Sequence, residues 1–296
     1  MEPIINYVSK LSTVHVGGSN PVRIMGILNT SPESFFKKSV ATSRENIANK
    51  TRKLEEEGAD FIDVGGMSTA PYLSNAVSKR TEAERITKAI KIIQKLSNLP
   101  ISVDTCRSTV AKVALDLGAD VINDISGLKY DKDMPKVIGK YQPSLVLCAF
   151  SKNLVRGNQL VQTRNLLSQS VTIAKSVNIS DEKIVLDPAI GFFRKKGRGE
   201  FFTRINSDWI KRDLLILNNL RSLKVGYPLL VSVSRKSFIG SLLNIKDPDD
   251  RLYGSLAAEA ISVLNGADIV RTHNVKQTKQ AITIAQKLSR NFRKGL

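Results

Sequence analysis

A set of polar side chains stands just past short apolar runs along this chain. They are Asn29, Asp63, Ser68 and Thr69, Asp104, Asn123, Asp187, Lys236, Arg271 and His273. Their chemistry divides in two. Asp104, Asn123 and Asp187 accept hydrogen bonds, as a flat heterocycle rich in N–H groups requires. Arg271, His273, Ser68, Thr69 and the basic run 194–198 suit phosphate oxygens, and a guanidinium meets two such oxygens at once. Lys236 is a movable cation between the groups. An acceptor pocket beside an oxyanion pocket fits a nitrogen heterocycle attached to a phosphate. No nucleophile–base pair accompanies them, and no GxSxG elbow marks a serine hydrolase.

Strand ends must gather these residues. In the stretch 101–127, ISVDTCRSTVAKVALDLGADVINDISG, one apolar run stops at Asp104 and a second stops at Asn123 and Asp124. Between them Val110, Val113, Ala114 and Leu117 fall at helical spacing, closed by Gly118. So short a strand–helix–strand unit is a parallel, right-handed crossover, and parallel α/β folds bind ligands at the carboxyl ends of their strands. Further strands are expected at 22–28, 61–64, 144–149, 183–186, 228–233 and 268–270. Helices are expected at about 44–57, 79–96, 134–140, 162–177, 205–222, 252–265 and 276–288. The pattern makes eight strand-then-helix cycles with no linker or composition shift. The expectation is a (β/α)8 TIM barrel, one domain over 1–296, in which the polar set converges on one rim. A short hairpin, 11–16 turning at 17–21, is expected to plug the barrel bottom or pair with an edge. A doubly wound open sheet is the alternative, but the first turn, Asn29-Thr30-Ser31-Pro32, has no GxGxxG.

The chain has 296 residues, a net charge of +18 and a pI near 9.9. That excess points to anionic partners, phosphorylated small molecules or nucleic acid. Most of it, such as Lys50, Arg52, Lys53, Lys79, Arg80, Lys88, Lys91 and Lys95, reads as solvated helix faces. No zinc spacing, aromatic RNA-binding strand or helix-turn-helix pattern supports a nucleic-acid role. No apolar run reaches membrane-spanning length, and with Glu2 and no apolar run after Met1 a secretory signal is not expected. Cys106 and Cys148 have no metal-type spacing and fit a reducing, cytoplasmic setting as packing residues.

Seven motifs carry a resemblance: IMGILNTSPESF (24–35), GADFIDVGGMSTAP (58–71), ISVDT (101–105), GADVINDISG (118–127), LDPAIGF (186–192), SRKSFIG (234–240) and IVRTHNV (269–275). In order and spacing they are similar to those of the dihydropteroate synthase family. That family joins a hydroxymethyl-dihydropterin diphosphate to p-aminobenzoate, in folate biosynthesis, and releases pyrophosphate. The resemblance implies that Asp104, Asn123, Asp187 and Lys236 read the pterin. It puts Thr69, Arg271 and His273 on the diphosphate, and Phe192, Ser234 and Lys236 beside the arylamine. It also implies Mg²⁺ held with help from Asn29, and a homodimer through outer helices. Lys236, Arg271 and His273 would carry the catalysis.

Several positions depart from that pattern. Ala70 stands where the family usually has Arg, and Met67 where Glu or Ala is common. Leu147-Cys148-Ala149-Phe150 replaces a Met-His-Met wall, Asn274 a usual Asp and Ala189 a usual Gly. The loop 193–203 is unusually basic. Arg194, Lys195, Lys196 or Arg198 is a candidate substitute for the missing Arg. The alternatives are a homologue using another arylamine, with a ribosyl phosphate as in methanopterin-type cofactors, or a methyltransferase binding methyl-tetrahydrofolate. The Lys236 motif and the Arg-x-His end favour the synthase, since a methyltransferase needs no diphosphate site. Plainer roles are expected elsewhere. Asp63 would either bond the Gly65 or Gly66 amides or touch substrate, Asp124 would face outward or cap a turn, and Thr105 or Ser108 would cap the third helix.

Overall fold

The structure is a computed structural model that describes residues 7–34, 36, 40–72 and 77–294. β1 (Val8–Leu11) and β2 (Val14–Gly17) form an antiparallel hairpin. It turns at Ser12-Thr13, with Ser12 at φ 55, and not at the expected stretch 17–21. Gly17 ends the second hairpin strand, paired with Val8, and a turn follows in which Asn20 N bonds the Gly17 carbonyl oxygen and leads the chain into the barrel.

The barrel strands are β3 (Arg23–Asn29), β4 (Phe61–Gly65), β5 (Ile101–Asp104), β6 (Val121–Asp124), β7 (Ser144–Cys148), β8 (Ile184–Asp187), β11 (Leu230–Val231) and β12 (Ile269–Thr272). All pair in parallel in the order β11-β12-β3-β4-β5-β6-β7-β8. The Leu186–Leu229 bridge, with Leu186 N on the Pro228 carbonyl at 2.9 Å, joins the two ends and closes the ring. Between β8 and β11 a two-residue pair, β9 (Phe193–Arg194) with β10 (Thr203–Arg204), ties down the ends of the basic loop.

Helices α1 (Arg44–Glu56), α2 (Lys79–Ile93), α3 (Ser108–Asp116), α4 (Met134–Tyr141), α5 (Gln159–Ser176), α6 (Trp209–Asn218), α7 (Ser237–Leu243), α8 (Leu252–Leu264) and α9 (Val275–Lys294) surround it. Ser43, Ser78 and Asp208 cap the first turns of α1, α2 and α6 by accepting from backbone N–H groups. The expected helix 205–222 is α6 followed by a separate 3₁₀ turn at Leu220–Leu223. The expected strand 228–233 shortens to β11, and the short helix α7 follows it without a signal in the sequence pattern. Neither expected cap holds α3. Asp131 instead accepts from Ser108 N at 2.9 Å, while Thr105 turns to Glu82.

Strands covered on the outside and filled on the inside need apolar residues on both faces. The barrel interior follows from alternation along each strand. Met25, Phe61, Val121, Val146, Val185, Leu230 and Ile269 pack together at one level with Leu11 and Val16 of the hairpin. The hairpin therefore plugs the bottom. Two residues further along, the same inward face carries Asp63, Asn123, Cys148, Asp187 and Arg271. The apolar plug is thus the floor on which a polar layer stands.

Candidate active site

That polar layer is knit by one guanidinium. Arg271 Nε donates to Asp63 Oδ2 at 2.6 Å, and Nη2 donates to Asp104 Oδ2 at 2.8 Å. Asp63 is fully buried and also accepts from Ser102 Oγ at 2.5 Å and from Asn123 Nδ2 at 3.3 Å. Asp63 therefore anchors Arg271 and does not hold the following loop amides as expected. Burial works against the Arg271 charge, but Asp63 and Asp104 outweigh it and hold its pKa above the ordinary value. Asp104 is pushed up to about 7 by burial, with Arg271 opposing and Asp63 adding to the rise.

Across the rim, Asp187 accepts from the Ala189 amide at 2.7 Å. Burial raises its pKa, against the pull of Lys236. Lys236 Nζ donates to the Ile190 carbonyl and lies 4.2 Å from the Phe192 ring centroid. Burial lowers its pKa to about 8, with Asp187 and Asp213 opposing. Its stem runs over Gly191, at φ 86, where a Cβ would stand 2.6 Å from Lys236 Cδ. Only glycine suits that close approach at positive φ.

His273 Nδ1 is 3.0 Å from Ser234 Oγ, and the ring meets Phe36 edge-on at 5.0 Å. Burial and the surrounding cations Arg271, Lys50, Arg235 and Lys236 hold its pKa well below the usual histidine range. Ser234, expected beside the arylamine, thus also fixes the His273 ring.

Asn29, Thr69, Asp104, Phe192, Ser234, Lys236, Arg271 and His273 all line a single cleft, together with Met67, Ala70, Pro71 and Tyr72. Asn123 and Asp187 are 5 % exposed and belong to the layer beneath. Asp124 is buried rather than outward-facing, and it caps a turn through Ser126 N, Ser126 Oγ and Leu128 N.

Among the described residues no three His, Cys, Asp or Glu side chains are grouped to hold a metal. Mg²⁺, however, is commonly held by one or two protein oxygens, waters and substrate phosphates. Asn29 fits that demand. Its Nδ2 donates to Ser34 Oγ at 3.3 Å, and its Oδ1 lies over Gly65, 3.1 Å from where a Cβ would stand.

Residues 25–273 match the family model described as pterin binding enzyme. The chain is 37 % identical over 260 residues to a dihydropteroate synthase of Clostridium beijerinckii, covering 87 % of this chain and 91 % of that one. The chain belongs to the dihydropteroate synthase family of pterin-binding enzymes. Two solved family structures superpose closely. The Coxiella burnetii synthase, in complex with pteroic acid, has a TM-score of 0.81 and 32 % identity, covering 96 % and 98 % of the two chains. The Xanthomonas albilineans dihydropteroate synthase, with 4-aminobenzoic acid, has a TM-score of 0.79 and 27 % identity, covering 96 % and 98 %.

The pterin-binding fold here rests on several side chains that sequence reading misses. Arg212 is fully buried and donates to the Pro188 carbonyl at 2.8 Å, the Ala189 carbonyl at 3.2 Å and Thr163 Oγ1 at 3.0 Å. Asp213 accepts from the Gly191 amide at 3.0 Å. These adjacent α6 residues hold the loop that carries Asp187 into Phe192. Glu82, also fully buried, accepts from Thr105 Oγ1 at 2.7 Å and from Arg107 Nη1 at 2.8 Å, holding the turn after Asp104. Arg85 makes a two-pronged pair with Glu33 at 3.0 and 3.1 Å and reaches the Gly66 carbonyl at 3.1 Å. It ties the loop after β3 to the loop after β4, and the pair holds the Glu33 pKa down at about 2. The one available signal is charge inside otherwise amphipathic helices, which solvated faces also show.

Proposed function

We propose that this chain condenses 6-hydroxymethyl-7,8-dihydropterin diphosphate with p-aminobenzoate to give 7,8-dihydropteroate and pyrophosphate. The observation that carries the reading is the single cleft in which Asp104 and Lys236 meet Arg271 and His273.

In this reading Asp104, Asn123 and Asp187 accept hydrogen bonds from the pterin ring, and Lys236 donates to it. An ionised Asp187 accepts two parallel N–H groups from the aminopyrimidine edge, which fixes the ring's orientation. Thr69, Arg271 and His273 face the diphosphate. The neutral His273 donates an N–H, and Arg271 keeps its charge because two carboxylates hold it. Phe192 and Ser234 border the amine.

The C–O bond to the diphosphate breaks at a methylene carbon that the electron-rich ring can relieve of charge. The arylamine nitrogen forms the new C–N bond and gives up a proton to solvent. A neutral aniline nitrogen is already nucleophilic, so the protein mainly stabilises departing negative charge and aligns the amine. Asn29 would hold Mg²⁺ through its amide oxygen, and the ion would add positive charge on the diphosphate when bound.

A cytoplasmic enzyme working as a homodimer completes the reading. Among the described residues no helix is long and apolar enough to cross a membrane. Exposed Tyr253 and Ile261 on α8 and Ile284 and Leu288 on α9 support pairing through outer helices. The direct test follows pyrophosphate release with each substrate alone and with both. Release that requires both upholds the synthase, and no release with both contradicts it.

A further inference from the structure

Behind the cleft wall a row of hydroxyls runs outward from His273 to a buried carboxyl that the reaction does not use. Ser234 Oγ lies 3.0 Å from His273 Nδ1 and accepts from His273 N at 3.3 Å. Thr272 Oγ1 stands 3.5 Å from Ser234 Oγ and 2.9 Å from Thr278 Oγ1. Thr278 Oγ1 in turn lies 2.7 Å from Glu259 Oε2. Thr272 on β12, Glu259 on α8 and Thr278 on α9 are all buried. The other carboxyl oxygen, Glu259 Oε1, is buried with no hydrogen-bond partner among the described residues.

A hydroxyl has one proton to donate. Thr278 has two partners in reach, so it donates to one and accepts from the other. With Glu259 neutral, its acid O–H donates to Thr278, Thr278 donates to Thr272, and Thr272 donates toward Ser234. Ser234 then donates to His273 Nδ1, and the ring proton sits on Nε2. With Glu259 ionised the dipoles turn round. Thr278 donates to Glu259, Thr272 donates to Thr278, and Ser234 turns toward Thr272. His273 Nδ1 then carries the proton and donates to Ser234, which leaves Nε2 bare. The Thr272–Ser234 step is the longest, and the alignment of neighbouring dipoles carries the direction across it.

A carboxylate with a bare buried oxygen is costly, so the interior favours the neutral acid. Burial pushes the Glu259 pKa up to about 7, against the Thr278 and Thr272 hydroxyls and the charge of Arg235. Arg235 is itself shared with Asp249, Asp247 and Asp250. His273, among Arg271, Lys50, Arg235 and Lys236, stays neutral while Glu259 titrates.

We propose that Glu259 is a positioning residue that acts through Thr278, Thr272 and Ser234 to choose which nitrogen of His273 carries the proton. Its neutral form gives the cleft an N–H donor suited to a phosphate oxygen. The use of that donor rests on the synthase reading, in which His273 faces the diphosphate. An anion that accepts from the Nε2–H group binds that state better, and so favours the neutral acid.

The test is NMR of the ¹⁵N-histidine-labelled chain, which reports the protonated ring nitrogen. The chain has two histidines, and His15 lies exposed on the hairpin, so H15Q assigns the spectrum. In the wild type the His273 proton is expected on Nε2 at about pH 6 and mainly on Nδ1 at about pH 8. E259Q cannot ionise and should hold one tautomer throughout. T278V cuts the relay but leaves Glu259 in place, and it should hold one tautomer as well. No change in the wild type, or a change that survives in either variant, overturns the relay. Saturating inorganic pyrophosphate should keep the proton on Nε2 to higher pH in the wild type. A transition that pyrophosphate leaves unmoved contradicts the diphosphate's place on His273, and with it the synthase reading, while the variants still decide the relay.

Discussion

Arg271 on β12 and Asp63 on β4 flank β3, and their side chains meet across it inside the barrel at 2.6 Å. The contact spans a strand because both side chains point inward at the same level, just above Met25 and Phe61. A buried carboxylate holds the guanidinium, and Asp104 shares it from the next strand along.

Asp63→Asn removes that anchor's charge but keeps its shape. Arg271 then loses its fixed position beside the leaving group. The expected effect is a fall in kcat of about 10²-fold, the scale of losing one aimed charge-stabilising donor. Pterin affinity should fall less than kcat, because Asp187 and Lys236 are untouched and only Asn123 and Asp104 lean on Asp63. Steady-state kinetics with a parallel pterin titration checks the split.

Ala189 adopts φ 57 directly after the Asp187-Pro188 pair. A left-handed conformation costs an L-residue roughly 1–2 kcal/mol, while glycine adopts it freely but gains unfolded-state freedom. Ala189→Gly is therefore expected to stabilise the chain by about 0.5–1 kcal/mol. Urea unfolding should show a higher midpoint at an unchanged slope.

Two cleft groups bound the working pH. Asp104, pushed up to about 7, loses its acceptor charge as pH falls through that value. Lys236, lowered to about 8, loses its positive charge as pH rises past it. The kcat/KM profile should be bell-shaped, with an acid limb near 7 and an alkaline limb near 8, reporting the free enzyme. Lys236→Arg keeps its charge throughout, so whatever activity remains should not fall between pH 8 and 9.

The barrel and its rim are legible in the chain because the signals are local. Apolar runs of strand length end on Asp104, Asn123, Asp187 and Arg271, and parallel pairing puts such ends on one face. The supports are not legible. Arg212, Asp213 and Glu82 sit in helices whose patterning marks charge as outward-facing, and only tertiary packing turns them inward. Two glycines that look like a turn draw the expected hairpin too far along the chain, whereas Ser12 supplies the positive φ itself. Asp63 reads locally as a loop anchor, but its partner lies 208 residues away. Ala189 and Asn274 stand out in the sequence as departures; Asn274 Oδ1 accepts from Arg235 Nε at 3.0 Å, a role that the usual Asp would also fill.

Gripping of the pterin ring by buried carboxylates is tested most directly by titrating pteroic acid into the wild-type chain and Asp187→Ala in a calorimeter, with circular dichroism confirming that the variant is folded. Heat of binding in the wild type and none in the variant is the expected result. Equal affinity in the two would contradict the carboxylate pocket.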